Sequence, residues 1–252
     1  MNGVLTLLLS HQPPAELDRV LRVWQQVADP GGLLLAYGGR EDYYEMIDFE
    51  PKIMIRDARL RTSDQQRERQ SCAGVVREAA RWLQSRPEFQ YVHFVEYDHL
   101  PLVADLYDRM IARMESERAD ALAYHLRRID GTSDVHYLHH ADDSRFHDYF
   151  SSLTVRSDPE VIMAMLGTGS FWRLPAFAAV ASREEPFPIY FEIYLPTLAH
   201  HLGYRLRDLG EQNAFVWNLG DFSNQIRECK ASGAWTAHPI KDIISPESIF
   251  AQ

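Results

Sequence analysis

"YVHFVEYDHLP", residues 91–101, runs an apolar strand straight into acid. Val92, Phe94 and Val95 are core residues by type, and Glu96 and Asp98 follow at once, flanked by Tyr97 and His99. Desolvating an unpaired carboxylate is costly, so two of them at the mouth of a buried strand need either water or a cation. Which of the two applies depends on what else in the chain reaches the same place.

Upstream, strand and helix signals alternate. Val4 to Leu9 is a short apolar run closed by Ser10, His11 and Pro13-Pro14. "AELDRVLRVWQQVA" then sets Leu17, Val20, Leu21, Trp24 and Val27 at helical spacing. "LLLAYGG" reads as a second buried strand and "KIMI", followed by Arg56 and Asp57, as a third. A polar segment leads to a helix with Cys72, Val75, Val76, Ala79 and Leu83 on one face. This alternation predicts an α/β fold: a mostly parallel, Rossmann-like central sheet with helices on both faces. Ligands of such sheets collect beyond the carboxyl ends of the strands, where Ser10, His11, Asp57, Glu96 and Asp98 all fall.

Downstream, Val103, Leu106, Tyr107, Met110, Ile111 and Met114 predict another amphipathic helix. "DALAYHL" reads as a strand and "VHYLHH" as a further one. Residues 130–158, rich in His, Asp and Ser, read as irregular structure or a lid. "EVIMAMLGTGSFWRLPAFAAVA" reads as a helix, a glycine turn and a second helix. No linker divides the chain, so residues 1–252 are expected to form one domain.

The chain has 252 residues, 46% hydrophobic and 25% charged, with a formal net charge of −10. That charge argues against a nucleic-acid binder, which needs a basic face to displace counterions. An acidic protein handling a small phosphorylated ligand would instead gain from a divalent ion. Two cysteines without CxxC spacing suit a reducing compartment, so a cytoplasmic setting is expected. The apolar start is too short to span a bilayer, and no transmembrane segment is expected.

Glu96-Tyr97-Asp98 resembles the DxD-type motif of GT-A-fold glycosyltransferases, with Glu in the first position. "GTGSFWRLPAF" resembles that family's acceptor-side glycine loop, "FEIYLPTLAHHLGYRL" the helix carrying its catalytic acid, and "WTAHPIKD" a late histidine segment that returns to the metal. The resemblance implies a GT-A-like domain, with residues 1–100 binding nucleotide and residues 101–252 binding acceptor. It implies Asp98 and His238 as ligands of Mn2+ or Mg2+, and Glu192 as catalytic base. Ser10, His11, Asp57, Glu96 and Lys241 would contact the nucleotide, and Gly169, Ser170 and Trp172 the substrate. The partners implied are a nucleoside-diphosphate sugar donor and a carbohydrate or other hydroxyl acceptor. Two departures stand out: Glu96 replaces the usual Asp, and Phe191 rather than an acid precedes Glu192.

The chemistry is consistent with this. Breaking a glycosyl–phosphate bond leaves charge on the departing diphosphate, which a hard cation stabilises through oxygen ligands. Each residue also has an ordinary reading. Asp98 could be a solvated loop acid, His238 a surface or core histidine, Lys241 a solvated cation, and Glu192 a first-turn helix acid favoured by the dipole. The pair His139-His140 with Asp142 and Asp143 could hold zinc, although neighbouring side chains on a helix chelate poorly. Tyr43, Tyr44, Phe171, Trp172 and Trp235 are candidates for stacking on a sugar. A sugar-phosphate nucleotidyltransferase is the alternative enzyme, but residues 7–17, "LLLSHQPPAEL", lack the glycine-rich, arginine-containing loop that class carries. A non-catalytic nucleotide or carbohydrate binder is the third reading.

Overall fold

In the computed structural model, which describes residues 3–56, 73–242 and 249–250, the apolar runs of the first half become strands. These are β1 (Val4–Ser10), β2 (Leu33–Tyr37), β3 (Lys52–Met54) and β4 (Tyr91–Glu96). β1 lies between β2 and β4, parallel to both, and β3 adds in parallel beyond β2. On the other side come β9 (Ser170–Arg173), β6 (Ala121–Ala123) and β10 (Leu206–Asp208), giving the order β10-β6-β9-β4-β1-β2-β3. β9 runs antiparallel to both β4 and β6, while β6 and β10 are parallel. The central sheet is therefore mostly parallel, with one reversed strand.

Both faces of the sheet are covered, which is why its strands are apolar throughout rather than alternating. One face places Leu5, Leu7, Val92 and Phe94 under α3 (Ala73–Leu83), α7 (Leu174–Ala181) and α8 (Phe191–His201). The other places Val4, Leu8, Tyr91 and Val95 under α1 (Pro14–Trp24) and α4 (Leu106–Ser116), with Tyr43 and Tyr44 of α2 (Glu41–Met46) packed against the same cluster. No helix among the described residues is long and apolar enough to cross a membrane.

Three sequence readings change. "VHYLHH" is not a strand: Val135–Leu138 forms a short helix, α5, because the Asp134 carboxylate accepts the N–H groups of His136 and Tyr137. Residues 130–158 are not irregular throughout, since α6 (Ser144–Leu153) starts on an Asp143 cap and buries Phe146 and Phe150 one turn apart. The polar residues that suggested a loop are the caps. The first helix expected in "EVIMAMLGTG" is extended chain instead. There β8 (Met163–Ala164) pairs with β7 (Arg127–Arg128), and the run then enters β9. A short apolar run buried on both sides has no period by which to tell strand from helix.

Candidate metal site and neighbouring cavity

The parallel strands β1, β2, β4, β6 and β10 all end at one edge of the sheet. β9 runs the other way, so the loop before it, with Gly167, Thr168 and Gly169, arrives at that same edge. β4 ends at Glu96, and the chain turns tightly, with the His99 N–H donating to the Glu96 carbonyl at 3.0 Å. It leaves as β5 (Leu100–Pro101), which pairs antiparallel with β11 (Thr236–Ala237). That pairing delivers the next residue, His238, to Asp98. The Ile240 N–H, donating to the Asp98 carbonyl at 2.8 Å, fixes the register.

Glu96, Asp98 and His238 each offer one ligand atom within 4.8 Å of the others. His238 Nε2 is 3.3 Å from Asp98 Oδ1 and 3.9 Å from Glu96 Oε2. His238 Nδ1 donates to the Trp217 carbonyl. With one proton committed there, the ring in its neutral form would aim the Nε2 lone pair at a cation held between the two carboxylates, as a metal-ligating imidazole requires. Asp98 and His238 are 13% and 8% exposed, while Glu96 keeps 36% of its side chain in contact with solvent. Burial pushes the Glu96 carboxyl up to about 7, Asp98 adding to the shift and His238 opposing it. Burial also works against charging His238, but Asp98 and Glu96 outweigh it and raise the ring above its usual value. Two acids and an imidazole with one open side suit a hard divalent ion, Mn2+ tolerating the nitrogen better than Mg2+. Among the described residues no other such donor group occurs, so His139, His140, Asp142 and Asp143 do not form one.

Protons compete with a metal for the same atoms, and this fixes a pH dependence. Glu96 and His238 both hold protons more tightly than usual, Glu96 taking one up as the pH falls through about 7, so a falling pH favours the protonated forms that cannot bind metal. Divalent-metal affinity is expected to rise from pH 6 to pH 8, as followed by Mn2+ electron paramagnetic resonance titration.

His99, which has no reading from sequence, braces this group. It is fully buried, with Nε2 2.8 Å from Thr236 Oγ1 and Nδ1 3.1 Å from Thr168 Oγ1. Thr168 Oγ1 in turn accepts the Glu96 N–H at 2.9 Å. Tyr124 completes the chain through Thr236 at 2.7 Å. The His99 ring lies nearly parallel to that of His238, centroids 5.6 Å apart. Burial, then His238 and His93, drive its pKa well below the usual value, so it stays neutral beside a cation. Gly169 makes room for it: its φ is +82°, and a Cβ there would come within 2.4 Å of His99 and 2.6 Å of Tyr124. Gly169→Ala is therefore expected to cost about 2–4 kcal/mol of folding stability, combining left-handed strain with overpacking, measured by urea denaturation.

Glu192 stands in the first turn of α8. Its Oε1 accepts the Gly167 N–H at 2.7 Å, and its Oε2 lies 3.9 Å from His136 Nε2. A side chain on Gly167 would collide with Phe191 at 2.3 Å and approach Glu192 Oε1 at 2.9 Å, so glycine permits this contact. Burial raises Glu192 to about 7; the Gly167 N–H and Arg127 hold it down, and Glu96 and Asp134 push it up. The carboxylate faces a cavity of about 410 Å³, lined also by His125, Arg127, His136, Trp217 and Asn218.

The remaining predicted residues divide. Ser10 is fully buried, its Oγ accepting the Gln12 N–H at 3.1 Å, while His11 is exposed with its ring edge on Tyr97. Both lie at the carboxyl end of β1. Lys241 follows the Asp98–Ile240 contact, with an exposed side chain. Asp57 lies outside the described residues. Ser170 and Trp172, expected against substrate, are core residues of β9 at 0% and 1% exposure, and Phe171 is equally buried. Gly169 packs under His99 and Tyr124 rather than lining the cavity. The sequence readings omitted His99, Thr168, His136 and Trp217. No local signal marks them, since each depends on a contact distant in sequence.

No protein-family model matches the chain, and no curated protein does. Solved structures that resemble it include the bifunctional IspDF from Campylobacter jejuni, at 12% identity and TM-score 0.44, covering 84% of this chain and 50% of that one. A second is Rv0371C from Mycobacterium tuberculosis H37Rv in complex with manganese, at 11% identity and TM-score 0.43, covering 82% and 86%. A third is the mannosyltransferase PcManGT from Pyrobaculum calidifontis in complex with GDP-Man and Mn2+, at 10% identity and TM-score 0.45, covering 83% and 55%. The chain thus spans about half the length of the first and third. Likeness at this level transfers no residue role to this chain.

Proposed function

We propose that this protein is a GT-A-like, metal-dependent glycosyltransferase, moving a sugar from a nucleoside-diphosphate sugar to an acceptor hydroxyl. The observation that carries the reading is the placement of Glu96, Asp98 and His238 together at the carboxyl edge of a mostly parallel sheet. Glu192 faces a neighbouring cavity from the start of α8. Asp98 and His238 would hold Mn2+ or Mg2+, which neutralises charge on the departing diphosphate. Glu96, with 36% of its side chain in contact with solvent, would bind the ribose or a metal-bound water. Ser10, His11 and Asp57 would meet the nucleoside, and Lys241 a phosphate. Residues 1–100 then serve as the nucleotide half of one domain and residues 101–252 as its acceptor half.

Glu192 acts as general base, taking the acceptor proton as the acceptor oxygen attacks the anomeric carbon. Its Oε1 is held by the Gly167 N–H, which fixes the orientation of Oε2. A glutamate in this place, at the start of α8, suits inversion. Incubating the protein with a panel of nucleotide sugars and Mn2+ tests the reading: slow, EDTA-sensitive release of nucleoside diphosphate is expected. Consumption of nucleoside triphosphate and sugar phosphate with release of pyrophosphate would instead assign a nucleotidyltransferase.

A further inference from the structure

We infer that the cavity beside Glu192 takes its acceptor as an uncharged pyranoside, stacked on the indole of Trp217. This inference rests on the glycosyltransferase reading. Trp217 lines the cavity and remains 48% exposed, unusual for so large an apolar group. It is also pinned. Its N–H donates to the His238 carbonyl at 2.9 Å, and its own carbonyl accepts from His238 Nδ1. The indole Nε1–H donates to the Ala214 carbonyl at 3.3 Å, and the ring packs on His125 with centroids 4.7 Å apart. A rigid, half-exposed aromatic surface loses little conformational entropy on binding.

The rest of the wall is polar but largely committed. Asp208 accepts from Leu126, Gly210 and Asn213, and Asn213 also accepts the His125 N–H. These two shape the cavity, leaving Glu192 and Asn218 to meet hydroxyls. Arg127 is bound to Asp134 at 2.6 Å, so its charge is offset. With Glu192 and Asp208 present, an anionic acceptor would be repelled. A flat apolar wall beside hydroxyl-reading groups complements a sugar ring, which has an apolar C–H face and a polar edge.

In the step this arrangement serves, the acceptor hydroxyl proton passes to Glu192 and its oxygen bonds to the anomeric carbon. The bond from that carbon to the phosphate oxygen breaks, its electron pair leaving with the nucleoside diphosphate.

Saturation-transfer NMR tests the inference, using the full chain with Mg2+ and a nucleoside diphosphate. The probes are the methyl glucopyranosides, galactopyranosides and mannopyranosides, compared with the open-chain glucitol, galactitol and mannitol. At least one pyranoside is expected to receive saturation on its ring C–H protons, at least about tenfold more than any alditol. Trp217→Ala should abolish that signal with metal–nucleotide affinity within twofold of wild type, and Trp217→Phe should retain it. Undiminished transfer in Trp217→Ala would overturn the inference, as would equal binding of alditols or no pyranoside binding while metal and nucleotide bind. Loss of nucleotide binding in Trp217→Ala would also overturn it, assigning the indole to support of His238. Failure of the wild type to bind any nucleoside diphosphate with metal would overturn the underlying reading instead.

Discussion

Replacing Asp98 with asparagine is expected to abolish metal-dependent nucleotide binding while leaving the fold intact. The amide keeps the side chain's size and one acceptor oxygen, and the Ile240 N–H contact is to the backbone carbonyl, so register survives. What is lost is the negative charge nearest His238 Nε2, 3.3 Å away. Outer-shell partners of metal sites typically cost 10–100-fold in affinity, so removing a direct ligand should cost at least about 100-fold. Mn2+ titration by electron paramagnetic resonance measures this directly. Affinity unchanged in Asp98→Asn would remove Asp98 from the ligand set.

Glu192→Gln is expected to separate catalysis from stability. Glutamine still offers Oε1 to the Gly167 N–H, so the local geometry is kept. It cannot accept the acceptor proton, and transfer should fall by about 10²–10⁴-fold with donor binding unchanged. In the wild type, Glu192 must be ionised to act, so transfer should rise with pH through about 7. Stability runs the opposite way. The folded carboxyl, raised from 4.5 to about 7 chiefly by burial, binds its proton more tightly than the unfolded one. The folded state therefore carries more protons between those values, and stability is lost as the pH rises through that window. Removing the ionisable group should raise thermal stability at pH 8, by up to about 3 kcal/mol at 1.36 kcal/mol per pH unit. A variant that is fully active would disprove the base role, and one destabilised at pH 8 would show that burial does not strain this carboxylate.

The stretch at 91–101 made the sheet and its acidic edge readable, because apolar strands that end in turn residues are local features. His238 was reachable only through resemblance: it meets Asp98 because β5 pairs with β11, a contact that no local pattern encodes. The same limit hid His99, whose partners Thr168 and Thr236 lie far along the chain. Ser170 and Trp172 misled for a related reason. "GTGSFWRLPAF" resembles an acceptor-side glycine loop, yet the reversed strand β9 buries both side chains in the sheet. In residues 130–158, Asp134 and Asp143 read as loop polarity, whereas each caps a helix.

Calorimetric titration of the full chain with a panel of nucleoside diphosphates, in Mn2+ and again in EDTA, bears most directly on the metal site. With Mn2+, at least one diphosphate is expected to bind, with EDTA abolishing the signal and Asp98→Asn reproducing that loss. Nucleotide binding that is equally strong in EDTA, or unchanged in Asp98→Asn, would contradict a cation held by Glu96, Asp98 and His238.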